Sequence, residues 1–222
     1  MPKHIDVLRF NRQPGETSDR EVAFQDLVER LLGDETAIGI ELNVPWPDSA
    51  PRASRRVWPD LGPIDAILSR WYRDTDRPGD GASLGDTSAL WSFAVDEHIG
   101  IERTNDWPDG TPTPGLKHIS LLCGTCPTDE FRVAYRHHVE LVHEHLPTMW
   151  RYVQNDIESA TGDRADEFAA ISELSYRTHD DYERRWRYGA AGEVGFRSHE
   201  GFLDLPKTVT LMCTEHILRS SV

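Results

Sequence analysis

The chain has 222 residues, 38 % of them hydrophobic and 28 % charged, with a formal net charge of −14. That length suits one large or two small domains with a buried core, and the composition is that of a globular chain. The acidic balance excludes nucleic acid as an expected partner, since phosphate binding needs clustered Lys and Arg, and it disfavours anionic membranes. The longest apolar runs, such as Ile119–Cys123, are strand-sized, so no bilayer-spanning helix is expected. The opening Met1-Pro2-Lys3-His4 lacks the apolar block of a secretory signal, and three cysteines form no paired framework. A cytoplasmic setting is therefore expected.

In chain order, His4–Phe10 reads as an apolar strand and Gln13-Pro14-Gly15 as a turn. Ser18 and Glu21 have capping-box spacing, and Val22, Leu27, Val28, Leu31 and Leu32 give a helical stripe that ends at Gly33. Ala37–Val44 is a second strand, Pro45–Pro51 a loop and Arg55–Trp58 a weak third strand. Pro63–Trp71, with proline in its first turn, reads as a helix, and Leu90–Ile101 as a fourth strand. Asn105–Gly115, rich in Pro and Gly, reads as a linker.

The remainder repeats this order. His118–Cys123 is a strand, Thr128 an N-cap, Phe131–His145 a helix, Arg151–Ile157 and Phe168–Tyr176 strands, Asp180–Tyr188 a helix and Thr208–Leu218 the last strand. Three anchors recur at a spacing of about 115 residues: Lys3-His4-Ile5 as Lys117-His118-Ile119, Arg70-Trp71-Tyr72 as Arg185-Trp186-Arg187, and Glu97-His98-Ile99 as Glu215-His216-Ile217. The expectation is two ferredoxin-like βαββαβ units, residues 1–104 and 116–222, joined by residues 105–115. First and fourth strands are neighbours in that topology, which predicts His118 near His216 and His4 near His98.

Phe131-Arg132, Tyr135-Arg136-His137-His138, Leu146-Pro147, Arg151-Tyr152-Val153-Gln154-Asn155, Ile171-Ser172-Glu173-Leu174 and Thr214-Glu215-His216-Ile217 together resemble the EthD family. The first unit resembles a diverged member, its Tyr-Val-x-Asn element reduced to Glu41-Leu42-Asn43. The resemblance implies an α+β fold in which the two units pack sheet to sheet as an intramolecular dimeric α+β barrel. It also implies a small-molecule substrate and allows a homodimer. The Lys-His-Ile opening is similar to first strands of plant cyclases in the same barrel superfamily, which adds weight to His118.

Strand alternation sorts the second unit into an apolar face, Ile119, Leu121, Cys123, Val153, Ile157, Leu174, Val209, Leu211 and Cys213, expected under the helices. The polar face, with His118, Ser120, Gln154, Glu173, Thr210, Thr214 and His216, is expected to line a cavity inside the barrel. His118 and His216 with Glu173 form one candidate acid–base set, and His4 and His98 with Asp6 and Asp96 a second, because imidazole exchanges protons near neutrality. The second unit, which has the carboxylate, is expected to carry the chemistry. Tyr135, His138, Tyr152, Gln154 and Thr210 are candidate substrate contacts, with Asn155 a natural partner for His138. Trp91, Trp150, Trp186 and Phe93 are candidate aromatic walls.

No His-Glu-x-x-His motif, phosphate loop or Gly-x-Ser-x-Gly elbow occurs, and Cys123-Gly-Thr-Cys126 lacks a following helix start or a second pair. No metal or cofactor is expected. The reading is a cofactor-independent lyase (a dehydratase, decarboxylase or cyclase) acting on a phenolic or polyketide-like compound. The alternatives are a cofactor-free monooxygenase, or a non-enzymatic protein that binds a hydrophobic metabolite or haem through His118 or His216.

Overall fold

The computed structural model describes residues 1–11, 17–47, 57–58, 61–73, 84–102, 107–146, 148–187, 197 and 199–221. The strands are β1 (Lys3–Phe10), β2 (Ala37–Pro45), β3 (Ala66–Tyr72), β4 (Thr87–Ile101), β5 (Leu116–Leu122), β6 (Arg151–Thr161), β7 (Ala170–Tyr176) and β8 (Val209–Arg219). The helices are α1 (Thr17–Leu32), α2 (Thr128–His145) and α3 (His179–Arg187). The strands close into one barrel in the order β1-β3-β2-β8-β5-β7-β6-β4. Each block of four has the ferredoxin-like order, and the β2·β8 and β4·β6 seams join them into the dimeric α+β barrel within one chain. Helix α1 begins at Thr17, so Ser18, expected as its cap, lies within the helix; the 13–15 turn and the Arg55–Arg56 stretch lie outside the described residues.

Residues 66–72 are strand β3, where the sequence suggested a helix. Every residue of Ala66-Ile-Leu-Ser-Arg-Trp-Tyr72 is buried, so both faces are covered and the two-residue alternation that marks a strand is masked. The Arg70-Trp71 anchor therefore pairs a strand with helix α3 and marks no equivalence. The counterpart of β3 is β7, since His4 opposes Arg70 as His118 opposes Leu174. At the start of α2, Pro127 rather than Thr128 holds the N-cap position, with no side-chain cap. The stretch before β5 runs along β8 through Gly110 N–H to Ile217 O (2.7 Å) and Thr113 N–H to Glu215 O (2.8 Å). It ends at Gly115, whose φ of +92° and 2.0 Å approach of any Cβ to the Tyr176 carbonyl leave room for no side chain.

The strand faces are the reverse of the expectation except on β7, where Glu173 points inward and Leu174 lies under the helix as expected. Ile5, Val7, Phe93, Val95, Ile119, Leu121, Ile171, Val209, Leu211 and Cys213 fill the barrel interior together with Trp58, Trp91 and Phe168. Trp91 and Phe93 are thus interior packing, while Trp150 meets Trp107 outside the sheet. His118, Ser120 and Thr210 point outward to the helices. An apolar inner face is compatible with this fold because two sheets must bury against each other before any helix is added.

The other end of the interior is charged. Lys117 Nζ meets Glu41, Glu173 (2.7 Å) and Glu215 (2.8 Å), and Lys3 Nζ meets Glu97 and Glu173 at 2.8 Å each. Lys3 and Lys117 are each 1 % exposed, so this is a sealed ion cluster in which each charge depends on its partners. The register repeats across the seams, with Glu97 opposite Asn155 and Glu215 opposite Asn43.

Candidate functional site

The site is built on the outer face of the second half. Strands β5, β7 and β8 present His118, Ser120, Leu122, Ser172, Leu174 and Thr210, and α2 lies across them. Tyr135, His138 and Val142 share one face of α2 at helical spacing. Between sheet and helix a cavity of about 400 Å³ remains, closed at its margins by Tyr152, Tyr176, Tyr182, His199 and Leu203. That volume falls in the range of small-molecule pockets. Among the described residues its wall carries three histidines and four tyrosines and no Asp, Glu, Lys or Arg.

Of the sequence candidates, His118, Tyr135, His138, Tyr152 and Thr210 line this cavity. Gln154 stands behind it: its amide donates to the Tyr135 carbonyl (2.6 Å) and accepts from Arg136 (2.7 Å), fastening α2 to β6. Glu173 is on the opposite face of β7, in the interior ion cluster, because it neighbours the pocket residues Ser172 and Leu174 along a strand. Lys117, Lys3 and Arg151 outweigh the effect of its burial and hold its carboxyl well below the usual range. It cannot orient His118.

His216 is also apart. His118 opposes Met212, which puts His216 four residues further along β8, roughly 14 Å away. There it opposes Leu42 and packs on Phe24 of α1 at 5.3 Å between centroids. In the first half, His4 opposes Ala94, so His98 is likewise four residues distant, and His4 instead meets Tyr72 edge-on at 5.8 Å. Asp6 is bound to Arg70 at 2.7 Å. Asp96 and His98 are exposed on β4, opposite Asp156 and Gln154. Strand adjacency was read correctly, but the register along the strands was not. Asn155 turns inward and donates to Glu173 (2.8 Å), not to His138.

The partner of His138 is His199, a residue with no motif or periodicity around it, in the turn before β8. Their Nε2 atoms are 3.1 Å apart. Burial, with smaller effects from His199 and His137, pushes His138 down to about 3, and burial also lowers His199. Both rings are therefore neutral at pH 7. Burial raises the Tyr135 and Tyr152 phenols, which remain O–H donors. The wall thus offers neutral imidazoles that can take a proton and phenols that can stabilise an oxyanion.

Among the described residues no group of three or more His, Cys, Asp or Glu is arranged to hold a metal ion. No described helix is long and apolar enough to cross a membrane. Of the two histidines considered as haem ligands, His118 reaches the cavity and His216 does not.

No family model matches the chain, and no curated protein matches it. Solved structures do. An anthrone oxidase-like protein is 10 % identical, with a TM-score of 0.61 over 100 % of this chain and 94 % of its own. A protein from Fusobacterium nucleatum subsp. nucleatum, provisionally described as a monooxygenase, is 10 % identical with a TM-score of 0.51 over 98 % and 91 %. A chlorite dismutase variant from Candidatus Nitrospira defluvii is 12 % identical with a TM-score of 0.52 over 98 % and 91 %. At these identities the likeness is one of fold, the dimeric α+β barrel.

Proposed function

We propose that this chain is a cofactor-independent enzyme of the EthD type that removes a proton from a phenolic or conjugated carbonyl substrate held between β5, β7, β8 and α2. The observation that carries the reading is the composition of the cavity wall: neutral imidazoles and protonated phenols in a pocket with no charged side chain among its described residues. The substrate C–H or O–H bond breaks, the proton passes to a pocket histidine, and the electron pair moves onto the conjugated carbonyl oxygen. In this reading tyrosine hydroxyls of the wall donate to that oxygen. In a dehydration the carbanion then expels hydroxide, which takes the proton back and leaves as water. This is lyase chemistry, and it needs no other reactant.

The same carbanion can instead pass electrons to dioxygen. The neighbours described as anthrone oxidase-like and as a monooxygenase favour this second reading. Anaerobic incubation with a β-hydroxy aryl ketone, followed by enone absorbance, tests the lyase. Oxygen uptake with anthrone tests the oxygenase. Enone formation under argon is the expected result. Oxygen uptake without anaerobic turnover would replace the lyase with the monooxygenase, and inertness in both assays would remove the catalytic reading. An absorption band near 400 nm in the purified protein, about where haem bound by histidine absorbs, would point to the binding alternative.

A further inference from the structure

Across three neighbouring strands under the cavity, three hydroxyl side chains stand in one row. Ser120 of β5 opposes Ser172 of β7 on one side and Thr210 of β8 on the other. Residues directly opposite each other share a face of the sheet, so all three point into the cavity that they line. The row is confined to one level: the next holds Leu174, His118 and Met212, and the one before it Ala170 and Leu122. The first half has Leu68, Asp6 and Ser92 at the equivalent positions, with Asp6 closed on Arg70 at 2.7 Å. The complete row thus occurs only where the sheet leaves a cavity. Hydroxyls in an apolar floor cost desolvation unless something bonds them. Ser120 Oγ and Thr210 Oγ1 bond each other at 3.1 Å, which uses one of their two hydrogens. The second hydrogen and the spare lone pairs remain for a ligand. Ser172 Oγ lies beside the Tyr135 phenol and is not a sealed orphan. With Ser120 turned towards Thr210, the row becomes two polar points, the Ser120–Thr210 pair and Ser172, separated by one strand spacing, about 4.8 Å.

We propose that this row is the polar subsite of the cavity and that it selects a ring bearing two oxygens on alternate carbons, the 1,3-dioxygenated or resorcinol class. The proposal rests on the reading of the cavity as a substrate pocket. Two oxygens so placed on a six-membered ring stand about 4.8 Å apart and point to the same side, which matches the spacing of adjacent strands. One oxygen meets Ser172, and the other meets the Ser120–Thr210 pair. Oxygens on adjacent carbons are too close to reach both points, and those on opposite carbons point away from each other. A serine or threonine hydroxyl donates or accepts by rotation, so each point takes a phenol O–H or a carbonyl oxygen. The opposite edge of the ring then faces α2, on the side of His138 and Val142.

Titration calorimetry at pH 7 under argon compares 5-phenylresorcinol with 4-phenylcatechol, isomers that differ only in the placement of their oxygens, and biphenyl serves as the ring-only control. The resorcinol is expected to bind about 3–10-fold more tightly than the catechol, the worth of one further hydrogen bond. This comparison in the wild type needs no variant to fold. Ser172→Ala should bring the resorcinol down to the affinity of the catechol and leave biphenyl unchanged. Thr210→Val, which keeps the shape of the side chain, should weaken the resorcinol by a similar factor. Both variants should keep the wild-type melting temperature. Equal affinity for the two isomers, or a preference that survives Ser172→Ala, would overturn the subsite while leaving the enone and oxygen-uptake tests of the proposed function standing. A wild type that binds none of the three compounds would also overturn it, and would count against the cavity as the substrate pocket.

Discussion

Position for position, Asp6, Leu68 and Arg70 in the first half stand where Ser120, Ser172 and Leu174 stand in the second. Asp6 and Arg70 close on each other at 2.7 Å, and Leu8 and Leu68 pack with Leu27 and Leu31 of α1. Across the barrel, two serines and a leucine leave that volume unfilled under Tyr135 and His138. The strands are the same, and so are the opening Lys-His pairs. The cavity therefore comes from side-chain volume at a few outward positions of the sheet, not from a different backbone path.

The largest expected effect lies where the halves meet. Lys117→Met would leave Glu41, Glu173 and Glu215 without their shared cation, and should cost about 3–5 kcal/mol in urea unfolding. Glu41→Gln should cost far less. Burial, together with Glu215 and Glu173, outweighs Lys117 and holds the Glu41 carboxyl above its ordinary value. Its contribution to stability is therefore present below the unfolded carboxyl value and fades as pH rises through the folded one. Glu41→Gln should remove that dependence. A collapse of the fold in Glu41→Gln would show that its charge is needed.

Exchanging the halves' side chains tests the cavity argument directly. Leu68→Ser should cost about 2–5 kcal/mol by opening a void in the first half, with no gain of activity. Ser172→Leu should keep the melting temperature and abolish anthrone binding by filling the second. Retained binding in Ser172→Leu would mean that the substrate sits elsewhere.

His138 gives a pH signature to the second half alone. Its folded value of about 3 lies below the unfolded value, so its contribution is present above about 6.5 and is lost as pH falls towards 3. Stability should drop by a few kcal/mol over that window, and less steeply in His138→Gln, as measured by unfolding at each pH. His199 and His216, both lowered by burial, add in the same direction. The smallest effects are expected at His216→Ala and His98→Ala, which should leave turnover nearly unchanged, while His118→Phe should reduce it.

The repeat, the four-strand order and the helix α2 were legible because they are written in local signals: the Lys-His-Ile openings, the Glu-His-Ile endings and the spacing of Phe131, Tyr135 and His138. The interior was not. Alternation along β5 separates Ile119 and Leu121 from His118 and Ser120, but does not say which set meets the other sheet. Lys117 and Glu173 lie on the inner face as neighbours of His118 and Leu174, and only register shows that their charges close on each other. His199 was invisible for another reason: it reaches the pocket from a turn, where no periodicity constrains direction.

The two seams also govern how the molecule comes to be made. Asn43 waits for Glu215, and Lys3 and Glu41 wait for Glu173 and Lys117. At the usual pace of synthesis, the chain between β4 and β8 takes on the order of 5–25 s to emerge. Through that interval β2 is an open edge, and β4 is one until β6 emerges, each able to pair with any passing strand. Pairings this distant in sequence make closure slow. Until the second half arrives, the ribosome holds a half-barrel in which Lys3 has Glu97 but Glu41 lacks the cation of Lys117.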